Sequence, residues 1–342
     1  MDKKKKRFKL FDSQRVGRGI EKSDVYTKTD LKGFFLKYKE WFPNLLTVNL
    51  LMVLGNFPLI FAFIAMTTFT RVMYMAPATQ FFPILRGIFL QETELSASTL
   101  ISIATNGIQI EANAMTTATY VLFALSALVL FTFGLVNVGS TYLMRNMVKG
   151  DPVFIFSDFV YAIKRNWKQA LPFGVLDALL LALITFDLFY MYTASGGLMM
   201  SIFFGITMAV AIIYCWMRFY IYIQMVTFDL SLYKILKNSL ILALLGFKRN
   251  LLATLGIVLL VIINLFLAFG TGGFLMAAAI LLPFVLLFSN GAFMSTYAAY
   301  FKIKEVMIDP YEAEHAADTD EPADEWGELS EAPYSEAEPE GV

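Results

Sequence analysis

The sequence predicts an all-α integral membrane protein with six transmembrane helices and further helices lying along its cytoplasmic interface. Three observations carry this reading. Of 342 residues, 58% are hydrophobic and only 16% are charged, and the mean hydropathy is +0.62. Six apolar runs reach the roughly 20 residues a helix needs to cross about 30 Å of hydrocarbon. Lys and Arg gather between alternate runs, as they do on the cytoplasmic side of membrane proteins. A globular core has no room for this much apolar side chain, whereas lipid accepts it on outward helix faces.

Residues 1–43 form a basic N-terminal region that includes an interfacial helix. Residues 1–40 hold 13 bases against 6 acids. The run Lys3–Lys9 is followed by polar residues rather than by an apolar stretch and a cleavage site, so the first span is expected to act as the insertion signal. These bases orient that span and lie against anionic lipid, which removes any need for a nucleic-acid partner.

The membrane domain covers residues 44–304, with spans near 44–66, 119–142, 170–192, 199–225, 251–270 and 273–299. Ser195-Gly196-Gly197 and Thr271-Gly272-Gly273 are uncharged and short, as tight helical hairpins require. Pro58, Pro172 and Pro283 fall in or near spans and predict local bends. With the N-terminus inside, 25 of the 27 bases fall on the cytoplasmic side, leaving only Arg71 and Arg86 outside. Both lie in an outer segment of about residues 67–118, where interfacial helices are expected and where Phe81–Leu90 is too short to span. Residues 305–342 form an acidic cytoplasmic tail with 14 acids and no Lys or Arg; from Asp309 onward its composition predicts disorder.

The cytoplasmic connections repeat a pattern: an amphipathic basic segment, an asparagine, then a span. Lys164-Arg165-Asn166 and Lys248-Arg249-Asn250 are its clearest copies, and a weaker one ends at Asn44. Two readings stay open: three parallel two-helix units related by an axis along the membrane normal, or a chance match that topology favours. The segments Asp30–Phe42, Val153–Lys168 and Ser231–Phe247 mix aromatics with bases, as interfacial anchors do.

Several stretches resemble the YesL family of bacterial multi-pass membrane proteins. They are Phe11–Lys22 (FDSQRVGRGIEK), Val138–Leu171 (VGSTYLMRNMVKGDPVFIFSDFVYAIKRNWKQAL) and Arg218–Leu244 (RFYIYIQMVTFDLSLYKILKNSLILAL). The resemblance covers most of residues 10–305. The outer segment is longer than the family's, and the acidic tail is an addition. The resemblance implies a protein of the bacterial cell membrane, of the Gram-positive kind, in a family often associated with carbohydrate uptake and breakdown genes. It supplies no catalytic residues.

Polar residues inside spans are the candidate site residues, because a charge at the bilayer centre costs on the order of 2.5–3.5 kcal/mol on insertion scales. They are Asp177, Asp187 and Arg218, with Asn137, Asn264 and Asn290. Asp177 and Arg218 fall at similar depth on antiparallel neighbours. That placement predicts an ion pair, with a substrate contact or no pairing as the alternatives. The asparagines are expected to hydrogen-bond between helices or to line a polar cavity. The lone cysteine, Cys215, is expected to serve packing, and the single histidine, His315, lies in the tail.

Zinc, phosphate-loop and nucleophile-elbow chemistry therefore find no motif, and no cofactor or metal is expected. A dyad of Asp177 and Asp187 fails on distance, since ten helical residues separate them by about 15 Å. The leading expectation is a non-enzymatic membrane component accessory or regulatory to carbohydrate uptake, with the bilayer and a carbohydrate transporter as partners. The alternative is a small-solute transporter or channel, its polar path lined by the asparagines, Asp177 and Arg218.

Overall fold

Away from water a chain must satisfy its own N–H and C=O groups, and apolar runs of span length do so as helices. The computed structural model of the protein describes residues 29–91, 96–193 and 197–318. The leader Phe11–Lys22, Glu92 and Glu94, most of the Ser195-Gly196-Gly197 turn and the tail beyond residue 318 lie outside the described residues.

Five helices are long and apolar enough to cross a membrane alone: Thr117–Lys149, Ile155–Thr193, Leu198–Thr227, Phe247–Gly270 and Met276–Glu314. A sixth crossing requires α1 (Leu31–Gly55) and α2 (Pro58–Ala65) together, which meet at 63°. The bend is local in cause. Pro58 opens α2 and has no N–H to give, so the ladder tightens at the break: the Phe57 N–H donates to the Leu54 carbonyl at 3.3 Å, while the Asn56 side-chain amide joins its own N–H on the Met52 carbonyl. The first span expected at 44–66 is thus two helices rather than one.

The chain divides into two units, Met1–Pro43 and Asn44–Val342. In the first, the Asp30 carboxylate accepts the Gly33 N–H at 2.9 Å and starts α1. The rings of Phe34, Tyr38 and Phe42 then follow one another at four-residue spacing, with centroids 5.9 and 5.7 Å apart.

The second unit holds the remaining crossings. α5 (Thr117–Ser126) and α6 (Val129–Lys149) run on as one span, and α7 (Ile155–Thr193) is next to α6 in space. Their closest approach is at Gly134 and Gly174: a Cβ on either would strike the backbone of the other helix. Small residues allow this approach, and it is how helices associate where no hydrophobic force drives them together. α6 stops at Gly150, whose φ of 93° is left-handed and suits glycine at a helix end.

α8 (Leu198–Thr227) returns and leads through α9 (Leu232–Leu245) into α10 (Phe247–Leu265). α11 (Met276–Leu282), a π-helical turn at Pro283–Leu287 and α12 (Phe288–Ile303) make the last crossing, and α13 (Asp309–Asp318) follows it.

Burial is graded along α8. Every described residue from Gly197 to Val210 is at least partly exposed, whereas Tyr220–Val226 are buried without interruption. The packed core, including Phe173, Tyr222 and Met225 in one cluster and Trp216, Tyr220 and Ile303 in another, therefore sits at one end of the unit. The bases gather at that same end. Arg165 lies 3.8 Å from Asp229, Arg249 lies 3.9 Å from Glu305, and Arg145 donates to the Val226 carbonyl at 2.8 Å and caps α8.

Four features differ from the sequence expectations. The outer segment holds two helices, α3 (Phe82–Gln91) and α4 (Ala97–Asn106), but they ride on an antiparallel ribbon of β1 (Thr70–Pro77) and β2 (Gly107–Ala114). β2 alternates apolar and polar residues from Ile108 to Ala114, a period-two signal that could have found it, whereas β1 mixes Val, Tyr, Met and Ala without alternation and offers no such mark. Their base is tied where Thr116 and Thr119 hydroxyls donate to the Thr68 carbonyl.

The amphipathic segments of α1 and α7 are continuous with their spans. The 39 residues of α7 reach roughly 58 Å, well beyond the hydrocarbon. Only α9 is set apart, at Gly246. The repeat's asparagines also differ in role: Asn166 bonds the Ala162 carbonyl of its own turn, while Asn250 bridges Tyr220 and the Ala243 carbonyl.

The chain from Asp309 to Asp318 is helical rather than irregular. Pro310 falls in the first turn beside Asp309 and Glu312, and such residues favour a helix start. Finally, Cys215 is exposed on α8 rather than packed.

Candidate functional site

Asp177 lies on α7 just beyond Pro172 and the Gly174 contact, at a depth where the packed end gives way to exposed apolar surface. It is fully buried. A carboxylate there needs donors, and α8 supplies three from one stripe, Tyr214, Arg218 and Tyr222, spaced by four residues and so stacked on one helix face. Arg218 Nε donates to Asp177 Oδ1 at 2.7 Å and the Tyr214 hydroxyl donates to the same oxygen at 2.8 Å. The Tyr222 hydroxyl donates to Oδ2 at 2.5 Å.

Apolar groups close the cluster. The Phe133 ring of α6 lies 5.6 Å from the Arg218 guanidinium carbon, in cation–π range, and Phe173 meets the Tyr222 ring edge-on at 5.4 Å. Arg218 keeps about a quarter of its side chain exposed, while Asp177 keeps none. The arrangement holds an ion pair between α7 and α8 with both carboxylate oxygens engaged.

The other sequence candidates supply none of the three donors to Asp177. Asp187 is half-buried further along α7, and no hydrogen bond or ion pair to it occurs among the described residues. Asn137 Nδ2 and Asn264 Oδ1 are buried without a hydrogen-bond partner. Asn290 is buried on α12 next to Ser289.

Further polar contacts had weaker signals in sequence. Tyr214 and Tyr222 were readable as helical neighbours of Arg218, but tyrosines are common in spans. Asn49 is buried and inserts into the last crossing at the π-helical turn. Its amide donates to the Pro283 and Phe284 carbonyls at 3.0 and 2.8 Å and accepts the Ser289 N–H at 2.9 Å. It thereby meets polar groups at the start of the π-helical turn and just past its end, where the helical ladder is out of α register. Asn250 joins α8, α9 and α10, and Trp216 extends the chain of bonds through Thr254 at 2.9 Å. Pairing over more than 200 residues, as between Asn49 and Pro283, leaves no local mark.

Residues 114–188 match a family described as protein of unknown function, DUF624, to which YesL-like proteins belong. The match takes in the end of β2, α5, α6 and most of α7. It therefore includes Asn137, Asp177 and Asp187 but none of the α8 partners. No curated protein and no solved structure matches the chain.

Proposed function

We propose that this protein is a non-enzymatic component of a bacterial cell membrane, with both termini cytoplasmic, that acts as an accessory or regulatory partner of another membrane assembly. The observation that carries the reading is the commitment of Asp177. Its two oxygens receive three donors from the same chain, so the principal intramembrane charge is used to join α7 to α8. The basic end of the packed core, taken with the positive-inside rule, supports this orientation. The resemblance to YesL-like proteins suggests carbohydrate uptake as the context, with a carbohydrate transporter as the partner.

Affinity purification of the full chain from native membranes tests this. Reproducible recovery of sugar-transporter subunits, above the level seen with an unrelated multi-pass protein, is the expected result. Solute uptake by the purified protein alone in liposomes would overturn it. That second outcome is the prediction of a small-solute transporter, a reading favoured by the buried amide atoms of Asn137 and Asn264 that find no partner. In that case Asn137→Leu would lower the uptake.

A further inference from the structure

At the basic end of the second unit, α9 breaks into α10 at Gly246 and the end of α12 passes beside the break. Between them lies a cleft of about 400 Å³ lined by Gly246, Phe247, Lys248, Arg249, Lys302 and Glu305, among others. Gly246 is held there by its neighbours: a Cβ would meet the Tyr220 hydroxyl and the Asn250 amide, so the chain must turn on a glycine. The π-helical turn Lys304–Ile308 that follows α12 carries Glu305. Glu305 accepts from Lys302 at 3.0 Å and lies 3.9 Å from Arg249. Two cations thus share one carboxylate and Lys248 adds a third positive charge to the lining, which leaves an excess of positive charge. Lys248 is exposed, and no ion pair to it occurs among the described residues.

From this cleft we infer a binding site for a phosphate group, with the headgroup of an anionic phospholipid as its source. A phosphate diester offers the charge and the acceptor oxygens that ammonium and guanidinium groups recognise. Basic clefts between helices at the end of a membrane bundle are where such headgroups are held. Position favours lipid over a soluble anion. Leu245 and Phe247 at the rim are more than half exposed, and Leu251, Leu252 and Leu255 continue an exposed apolar track along α10. A headgroup in the cleft would let its acyl chains run down that track, which a free phosphate has no use for. α10 also starts without a side-chain cap, so its positive end adds to the field on an anion without being the reason for the site.

The test uses the full chain purified into phosphatidylcholine nanodiscs, with bound phosphatidylglycerol measured by native mass spectrometry as its fraction is raised. Lys248→Gln removes a cation that makes no ion pair among the described residues, and it should lower apparent affinity for phosphatidylglycerol about fivefold, the equivalent of roughly 1 kcal/mol per basic residue near a membrane surface. Glu305→Gln should raise the affinity, a gain that misfolding cannot imitate. Lys164→Gln, at the same end but outside the cleft, should change it little. Inorganic phosphate is added in a parallel titration: failure to displace the lipid at 20 mM assigns the source as the headgroup, while displacement assigns a soluble phosphate and overturns the lipid source. Equal affinity in the wild type, Lys248→Gln and Glu305→Gln proteins would overturn the site itself.

Discussion

Replacing Asp177 by Leu should be among the most damaging single changes available in this protein. The substitution leaves the Arg218 guanidinium and the Tyr214 and Tyr222 hydroxyls without the oxygens they now share. Removing one member of a buried ion pair costs about 3–5 kcal/mol in general. Arg218 is about a quarter exposed and can turn part of its charge outward, which places the cost near the lower end, about 3 kcal/mol. Arg218→Leu strands the carboxylate instead, and Asp177 has no exposure with which to escape. Its cost should therefore be equal or larger. The double variant Asp177→Leu/Arg218→Leu removes both charges and should be no worse than the costlier single change, a coupling of about 2 kcal/mol or more. Equilibrium unfolding by SDS in mixed micelles, followed by circular dichroism, measures all four corners. Two single costs that add to within about 0.5 kcal/mol would refute the reasoning, because independent sites behave that way.

Gly174→Val should separate α6 from α7 by placing a side chain against Gly134, at a cost of about 3 kcal/mol or loss of folding; crosslinking yield between cysteines introduced on the two helices reports the separation. Asn49→Leu leaves the Pro283 and Phe284 carbonyls and the Ser289 N–H unanswered, so it should cost about 2–3 kcal/mol in the same SDS assay, and Asn49→Asp, which cannot donate to the carbonyls, should not rescue it. Arg145→Met removes the cap on the last turn of α8 and should cost about 1–2 kcal/mol, seen as faster hydrogen exchange confined to residues near Val226.

The class of fold was legible because composition and span length are properties of whole segments that the bilayer reads directly. Five spans appear as single helices where apolar runs place them. The first did not, because the bend between α1 and α2 depends on Pro58 and on the tightened step at Phe57, a matter of two residues inside an apolar run. The ribbon of β1 and β2 was hidden for another reason. Pairing joins Thr70 to Ala114 across two intervening helices, and the alternation of β2 from Ile108 to Ala114 has no counterpart in β1.

The site shows the same division. Depth along antiparallel helices brings Asp177 and Arg218 to one level, and the structure joins them at 2.7 Å. Depth says nothing of rotation about the helix axis, which decides that Tyr214 and Tyr222 join the pair while Asp187 stays out. Rotation is set by packing, here by the Gly134–Gly174 approach and the buried stretch Tyr220–Val226. The cleft at Gly246 depends on the same kind of long-range placement, since Lys302 and Glu305 reach it from the end of α12.

All of this rests on six crossings, and the bent pair of α1 and α2 decides whether there are six or five. Single cysteines at Lys32, Thr79, Asp151, Lys237 and Gly272, in a Cys215→Ala background, can be exposed to a membrane-impermeant maleimide on intact and permeabilised cells. Six crossings place Thr79 and Gly272 outside, labelled in intact cells, and Lys32, Asp151 and Lys237 inside, labelled only after permeabilisation. Labelling of Lys32 and Thr79 from the same side would make the α1–α2 pair a re-entrant loop and contradict the topology on which the account is built.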